Sequence, residues 1–302
     1  MKAAAAVLPG RLARSLRTYM EPDPDQPVDF TAPAGEPALT APDSVSWQVF
    51  KNPIALFVGG VTAVLLELAE PRVRTGVWEH TTFRSDPIPR MRRTGLAAMV
   101  TVYGPRSTAE AMIAGIGRRH ARVTGTTPAG EAYAACDPEL LDWVQATASF
   151  GFLEAYHAYV RSLSAAEKDR FYAEGRPAAQ LYGATGAPAS ASDLAAQFEA
   201  MRPRLECSDI VFEFLDIVAR APILPTPLRP FQRALIRAAV AIVPDWTADT
   251  LELGSEWQLG VWEDSLVRLA GRAAERIVVR EGPAAQACRR MGLPANYLYA
   301  PR

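Results

Sequence analysis

The chain has few of the residues from which catalytic and metal sites are usually built. It contains three histidines and three cysteines in 302 residues. No two cysteines form a CxxC pair, so neither a zinc site nor a disulfide framework is indicated. The phosphate-binding pattern GxxxxGK[ST], the dinucleotide pattern GxGxxG and the zinc-protease pattern HExxH are all absent from the sequence. These absences argue against the common nucleotide-binding functions and against zinc-dependent hydrolysis.

The charge and the apolar runs argue against two classes of partner. A net charge of −1 provides no basic field, so neither nucleic acid nor an anionic membrane is an expected partner. The N-terminus carries one lysine and a short apolar run that Pro9 interrupts, which is unlike a secretion signal. Residues 54–69 are apolar but contain Glu67 and are at the short limit for crossing a bilayer. We therefore expect a buried core helix there, no stable membrane span, and a cytoplasmic protein.

Proline placement and periodicity predict the domain organisation. An N-terminal arm over residues 1–46 is rich in proline, at positions 22, 24, 27, 33, 37 and 42, which favours extended chain. From residue 47 the pattern is helical, and no strand-type alternation extends beyond a few residues. The sequence thus predicts an all-α protein with a single helical domain over 47–275 and a C-terminal tail over 276–302.

Helix starts are marked by capping residues. Ser107, Ser164 and Ser190 each precede an acidic residue by three positions, as in a capping box, and Asp137 precedes a proline. Prolines at 222, 225, 227 and 230 indicate a crossing loop, followed by helices over 231–243 and 250–269.

A carboxylate-bridged di-iron centre is not supported. Glu154 and His157 form one Glu-x-x-His pattern, whereas such bundles need two copies and two further glutamates on facing helices. Neither of the other histidines has a glutamate three residues before it, so His157 is interpreted as an ordinary helix histidine.

His120 is the histidine most suited to bind a metal. It continues the apolar face formed by Ile113 and Ile116, so its imidazole should point inward. A neutral imidazole is a good iron ligand. A core histidine with a satisfied hydrogen bond would show the same periodicity, and periodicity alone favours that interpretation.

Three residues upstream could bind an anion. Arg90 and Thr94 are four residues apart and share one helix face, with Arg93 beside them. Guanidinium and hydroxyl groups on one face suit a carboxylate, such as a haem propionate, or bound dioxygen. A solvated basic patch is the alternative interpretation.

Five sequence blocks in order resemble one known family. The chain is similar, over roughly residues 50–270, to the family that unites the catalytic domain of the rubber oxygenases (latex clearing proteins) with the mycophenolic acid pathway oxygenase. Each block alone is a weak signal, but their order is specific. The blocks are FVGGVTAVLLELAEP, GVWEHTTFRSDPIPRMRRTG, GRRHARVTG, YAACDPELLDWVQAT and LSAAEKDRFYAEG.

The resemblance implies a globin-like pocket for haem b. It makes His120 the proximal iron ligand and places Arg90 and Thr94 beside the haem. Arg93 stands where the rubber oxygenases carry a lysine over the distal face. Because arginine is bulky and always charged, it is a poor iron ligand, and a lysine-capped closed state is not expected here. Family members also often have histidines where this chain has Glu70 and Gln145.

The sequence thus predicts a haem-dependent oxygenase or oxidase that acts on an apolar, olefinic or terpenoid-like small molecule with dioxygen. Arg90, Arg93, Thr94 and His80 are the candidate catalytic residues, and His120 is the metal ligand. Polyisoprene itself is not the expected substrate, because a secretion signal and the distal lysine are missing. The alternative is a non-catalytic haem-binding or sensor-type helical protein. The sequence does not define the substrate, the electron donor or the oligomeric state.

Overall fold

The computed structural model describes residues 28–300, and helices make up most of them. The only sheet among these residues is a small two-stranded one, so the predicted all-α class is confirmed. The thirteen α-helices of the described chain are α1 (Val45–Val49), α2 (Pro53–Glu67), α3 (Pro71–His80), α4 (Pro87–Tyr103), α5 (Arg106–His120), α6 (Pro138–Tyr159), α7 (Ala165–Leu181), α8 (Ala191–Met201), α9 (Asp209–Arg220), α10 (Arg229–Ala241), α11 (Asp245–Thr250), α12 (Val261–Ala274) and α13 (Pro283–Arg290).

Helices α2 and α6 form the centre of the fold. Their backbones touch at two glycines: a Cβ added to Gly59 would lie 2.6 Å from the Phe152 Cα, and one added to Gly151 would lie 2.4 Å from the Gly59 carbonyl oxygen. Helix α2 is almost entirely buried, with Ile54 and Leu65 fully covered. The prediction of a buried core helix over 54–69 is thereby confirmed, and the close glycine contact explains how two long helices share one centre.

Three predicted helix starts are confirmed by their caps. The Asp137 carboxylate accepts from the Glu139 amide at 2.9 Å, and Ser190 accepts from the Asp193 amide at 3.1 Å. Ser164 begins α7 with a reciprocal capping box, since its own amide donates to the Glu167 carboxylate at 2.8 Å.

The predicted capping box at Ser107 is wrong. Helix α5 begins one residue earlier, at Arg106, and Ser107 lies inside its first turn. The Ser107 amide and hydroxyl instead donate to the Glu36 carboxylate, at 2.6 and 3.1 Å. Glu36 belongs to the N-terminal arm. A distant carboxylate therefore accepts from the first turn of α5, where the local sequence predicted that the Ser107 hydroxyl would be the acceptor.

The prediction of one helix over 250–269 is also wrong. Glu252 has a left-handed backbone with φ of 53°, which ends α11 at Thr250. A 3₁₀ turn (Ser255–Trp257) follows, and α12 begins only at Val261. The helix predicted over 231–243 is observed as α10.

A short hairpin joins α5 to α6. Strands β1 (Thr124–Thr126) and β2 (Ala132–Ala134) pair antiparallel, with Gly125 opposite Tyr133. The tight approach of the Tyr133 ring to Gly125 leaves no room for a side chain at that position. The hairpin holds Tyr133 against the end of α3.

The described part of the N-terminal arm lies on the helical body. Phe30 is 1% exposed, and Arg290 of α13 donates to the carbonyl oxygens of Phe30, Glu36 and Tyr103, each at 2.8 Å. Further along the arm, the buried Thr40 hydroxyl donates to the Val102 carbonyl oxygen at 3.3 Å. Prolines 22, 24 and 27 lie outside the described residues, and the proposed domain boundaries stay predictions.

Within residues 28–300, no single helix has both the length and the apolarity needed to cross a membrane. Helices α2 and α3 together would satisfy length and composition, with a bend of 111° between them.

Candidate functional site

A largely apolar cavity of about 400 Å³ lies beside the central helix pair. Helices α2, α4, α6 and α7 provide most of its wall, and the N-terminal arm, α3, the end of α5 and α9 add smaller parts. Such a volume and lining are typical of pockets for small organic ligands. Its polar or ionisable lining residues are Thr40, Ser46, Glu67, Arg90, Thr94, Thr101, His120, Gln145, Ser149 and Tyr182.

His120 lines this cavity as the last residue of α5. Neither of its ring nitrogens makes a hydrogen bond with another residue of the described chain. Burial lowers the pKa of His120 from its ordinary value of 6.5, and the positive charges of Arg90 and Arg119 lower it further. The imidazole is therefore held in its neutral form, as a metal ligand requires.

Arg90 and Thr94 line the same cavity and contact each other. The Arg90 guanidinium donates to the Thr94 hydroxyl, and that hydroxyl donates to the Arg90 carbonyl at 3.1 Å. Burial lowers the pKa of Arg90, as does the nearby charge of Arg93, while Glu67 opposes both effects. The structure thus places Arg90, Thr94 and His120 on the wall of one cavity, and their roles there stay predictions.

The structure does not bring Arg93 or His80 into the cavity lining. Arg93 is exposed and its guanidinium lies 3.4 Å from the Thr82 hydroxyl. His80 is exposed at the end of α3, and its Nε2 lies 3.2 Å from the Tyr133 hydroxyl. A catalytic role for either residue has no support from the cavity geometry.

Glu67 is a cavity residue that the sequence analysis did not select. It ends α2, lines the cavity, and its carboxylate interacts with the charge of Arg90. Burial raises the pKa of Glu67 from 4.5 to about 7, against the opposing effect of Arg90. The signal in the sequence is a single carboxyl group in an otherwise apolar helix. That pattern argues against a membrane span, and it also indicates a polar group at a buried site.

A second set of polar groups lines the wall contributed by α4, α6 and α7. The Thr101 and Tyr182 hydroxyls lie 2.8 Å apart, and the Gln145 amide donates to the Ser149 hydroxyl at 3.2 Å. Gln145 occupies a position where the resembling family often has histidine, so an amide replaces an imidazole there.

Comparison with protein families decides the class. A family model described as "ER-bound oxygenase mpaB/B'/Rubber oxygenase, catalytic domain" matches residues 47–276. The chain belongs to this oxygenase family. The resemblance drawn from the five sequence blocks is thereby confirmed. No curated protein and no solved structure gave a match.

The matched region of the oxygenase contains nearly the whole cavity. Of the cavity-lining residues, Thr40 and Ser46 alone precede the match at residue 47. The N-terminal arm therefore adds to the wall of a pocket that the oxygenase domain otherwise builds. Glu70, at the other position where the family often has histidine, is fully buried outside the cavity and caps α3 by accepting from the Val73 amide at 2.8 Å.

The residues at this end of the cavity include one donor that would fit a haem. Among residues 28–300, no three His, Cys, Asp or Glu side chains converge as a metal cluster would require. A haem iron needs one axial protein ligand, and the unpaired imidazole of His120 meets that requirement. Gly95 adds room on the wall, since a Cβ there would meet nothing within 4 Å.

Proposed function

We propose that this oxygenase uses haem b and acts on an apolar small molecule. The observation that carries the proposal is the His120 imidazole, which is neutral, lines the cavity and has no hydrogen-bond partner among the described residues. Because the imidazole lines the cavity without a hydrogen-bond partner within residues 28–300, it is free to bind a metal.

The other residues at this end of the cavity suit the same cofactor. His120 would ligate the iron, and the Arg90 guanidinium would pair with a propionate carboxylate. When bound, haem would supply the activation of dioxygen. Thr94 offers a hydroxyl beside Arg90, where it orients the guanidinium, and the apolar wall excludes water from the bound substrate.

The substrate class follows from the same wall. Most of the cavity surface is apolar, so it favours hydrocarbon over a charged substrate. The family description names rubber oxygenase, and rubber is an olefinic polymer. We therefore propose oxidative cleavage or oxidation of an olefinic or terpenoid-like molecule, with dioxygen as co-substrate.

The cofactor is tested by its spectrum. Protein produced with sufficient haem should show a Soret band, and His120→Ala should lose most of it because the iron loses its protein ligand. His157→Gln is the matched control, since the His157 Nδ1 accepts from the Leu163 amide at 2.9 Å and lies outside the cavity lining. Equal haem content in His120→Ala and in the natural protein would refute the ligand assignment.

Turnover separates an oxygenase from a non-catalytic haem-binding or sensor-type protein. Consumption of dioxygen with formation of an oxygenated product from a panel of olefins would support the oxygenase. Ferrous haem protein that binds neither dioxygen nor carbon monoxide would refute it.

A further inference from the structure

The polar groups of the cavity lie at two separate levels along α4. Arg90 and Thr94 are at one level, together with His120 and Glu67, whose pKa values both respond to the charge of Arg90. Thr101 also lines the cavity and lies seven residues after Thr94, which is about 10 Å further along the helix axis. The side chains that line the cavity between them on α4 are those of Ala97, Ala98 and Met99, and all three are apolar.

The hydrogen bonds of Thr101 determine what Tyr182 can offer. The Thr101 hydroxyl donates its only proton to the Ala97 carbonyl at 2.8 Å. Both contacts of Thr101 are satisfied as hydrogen bonds when Thr101 donates to Ala97 and the Tyr182 hydroxyl donates to Thr101, and we adopt this arrangement. The phenol oxygen of Tyr182 keeps its acceptor capacity and has no other partner in the described chain.

Gln145 lies on the same side of the cavity as Tyr182. Leu141, one turn before Gln145 in α6, packs against Ala179 and Ala184, which flank Tyr182 in the sequence. One end of the Gln145 amide bonds to Ser149. The other end bonds to no described residue, and this holds whichever way the amide is oriented.

We propose that Tyr182 and Gln145 form a subsite for the hydroxyl group of an otherwise apolar substrate. The substrate's hydroxyl donates to the Tyr182 oxygen and pairs with the free end of the Gln145 amide. A hydroxyl both donates and accepts, so it satisfies the two groups together. This inference rests on the proposed function for the reaction, and it assigns the substrate class as an olefinic alcohol bound about 10 Å from the haem-facing groups.

The test compares two probes that differ in one group, since a methyl group replaces the hydroxyl proton in the second. Geraniol and its methyl ether are titrated into the haem-loaded protein, and the dissociation constants are measured by calorimetry. The alcohol is expected to bind about fivefold more tightly, the value of one net hydrogen bond. The double variant Tyr182→Phe, Gln145→Leu should bind both probes equally.

The control is Tyr172→Phe, the same substitution ten residues earlier in α7, at a buried tyrosine outside the cavity lining. It should keep the fivefold preference. Equal affinities in the natural protein, no binding of the alcohol, or a preference that persists in the double variant would each overturn the subsite.

The absorption spectrum keeps the two proposals apart. The double variant should retain the full Soret band, because the haem proposal assigns no role to either residue. A missing Soret band with the alcohol preference intact would refute the haem proposal and support the subsite. A full Soret band without the preference would refute the subsite alone.

Discussion

Replacing Glu67 by glutamine tests whether burial at the cavity raises the pKa of this carboxyl group. Burial raises its pKa from 4.5 to about 7 in the folded protein. A raised carboxyl pKa means that the folded state binds the proton more tightly than the unfolded state. The energetic cost of ionising Glu67 is therefore absent below pH 4.5, grows between pH 4.5 and 7, and is constant above.

The size of the effect follows from the shift. A change of about 2.5 pKa units corresponds to about 3.4 kcal/mol at 1.36 kcal/mol per unit. This is an upper limit, because Glu67 borders a cavity that water can enter and its charge is partly screened. We expect Glu67→Gln to raise the free energy of unfolding by about 1 to 3 kcal/mol more at pH 8 than at pH 5.

Urea denaturation of the haem-free protein at the two pH values measures this difference. Glu199→Gln, on the exposed face of α8, is the matched control and should give the same small change at both pH values. If Glu67→Gln alters stability equally at pH 5 and pH 8, the raised pKa of Glu67 is refuted.

Three further predictions concern packing, the arm and the ligand. Gly151→Ala should lower the free energy of unfolding by about 3 kcal/mol, since its Cβ meets the α2 backbone, whereas Gly117→Ala, with open space, should be neutral or stabilising by up to about 1 kcal/mol. An undiminished denaturation midpoint in Gly151→Ala would contradict this. Arg290 holds the N-terminal arm through hydrogen bonds to its carbonyl oxygens, so Arg290→Gln should expose residues 28–44 to limited proteolysis. An unchanged cleavage pattern would contradict this role of Arg290. In the haem-free protein, the NMR titration midpoint of His120 should lie below 6.5, so a midpoint at or above that value would contradict its burial.

Local chemistry predicted a large part of the helical framework. The starts of α6, α7 and α8 depend on a side chain and a backbone amide two or three residues apart, so the sequence contains the whole interaction. The start of α5 depends on Glu36, 71 residues before Ser107, and no local pattern could reveal it. The break after α11 arises from the left-handed backbone of Glu252, a residue type that seldom adopts that conformation.

The candidate site was predictable to the same degree. Helical spacing placed Arg90 and Thr94 on one face, and the ordered blocks directed attention to His120. Glu67 was missed because α2 is apolar on nearly all sides and reads as core. Tyr182 was missed because its partner, Thr101, lies 81 residues away, and only the folded chain brings the two hydroxyls together.

The hydrogen bonds between Arg290 and the N-terminal arm set an order of events during synthesis. Arg290 bonds to the Glu36 carbonyl across 254 residues of chain, one of the longest loops that the molecule closes. Thr40, further along the same arm, lines the cavity. Residues 28–44 leave the ribosome long before Arg290 does. The pocket therefore acquires its full wall only after Arg290 has been synthesised, and the nascent oxygenase exposes an apolar opening until then.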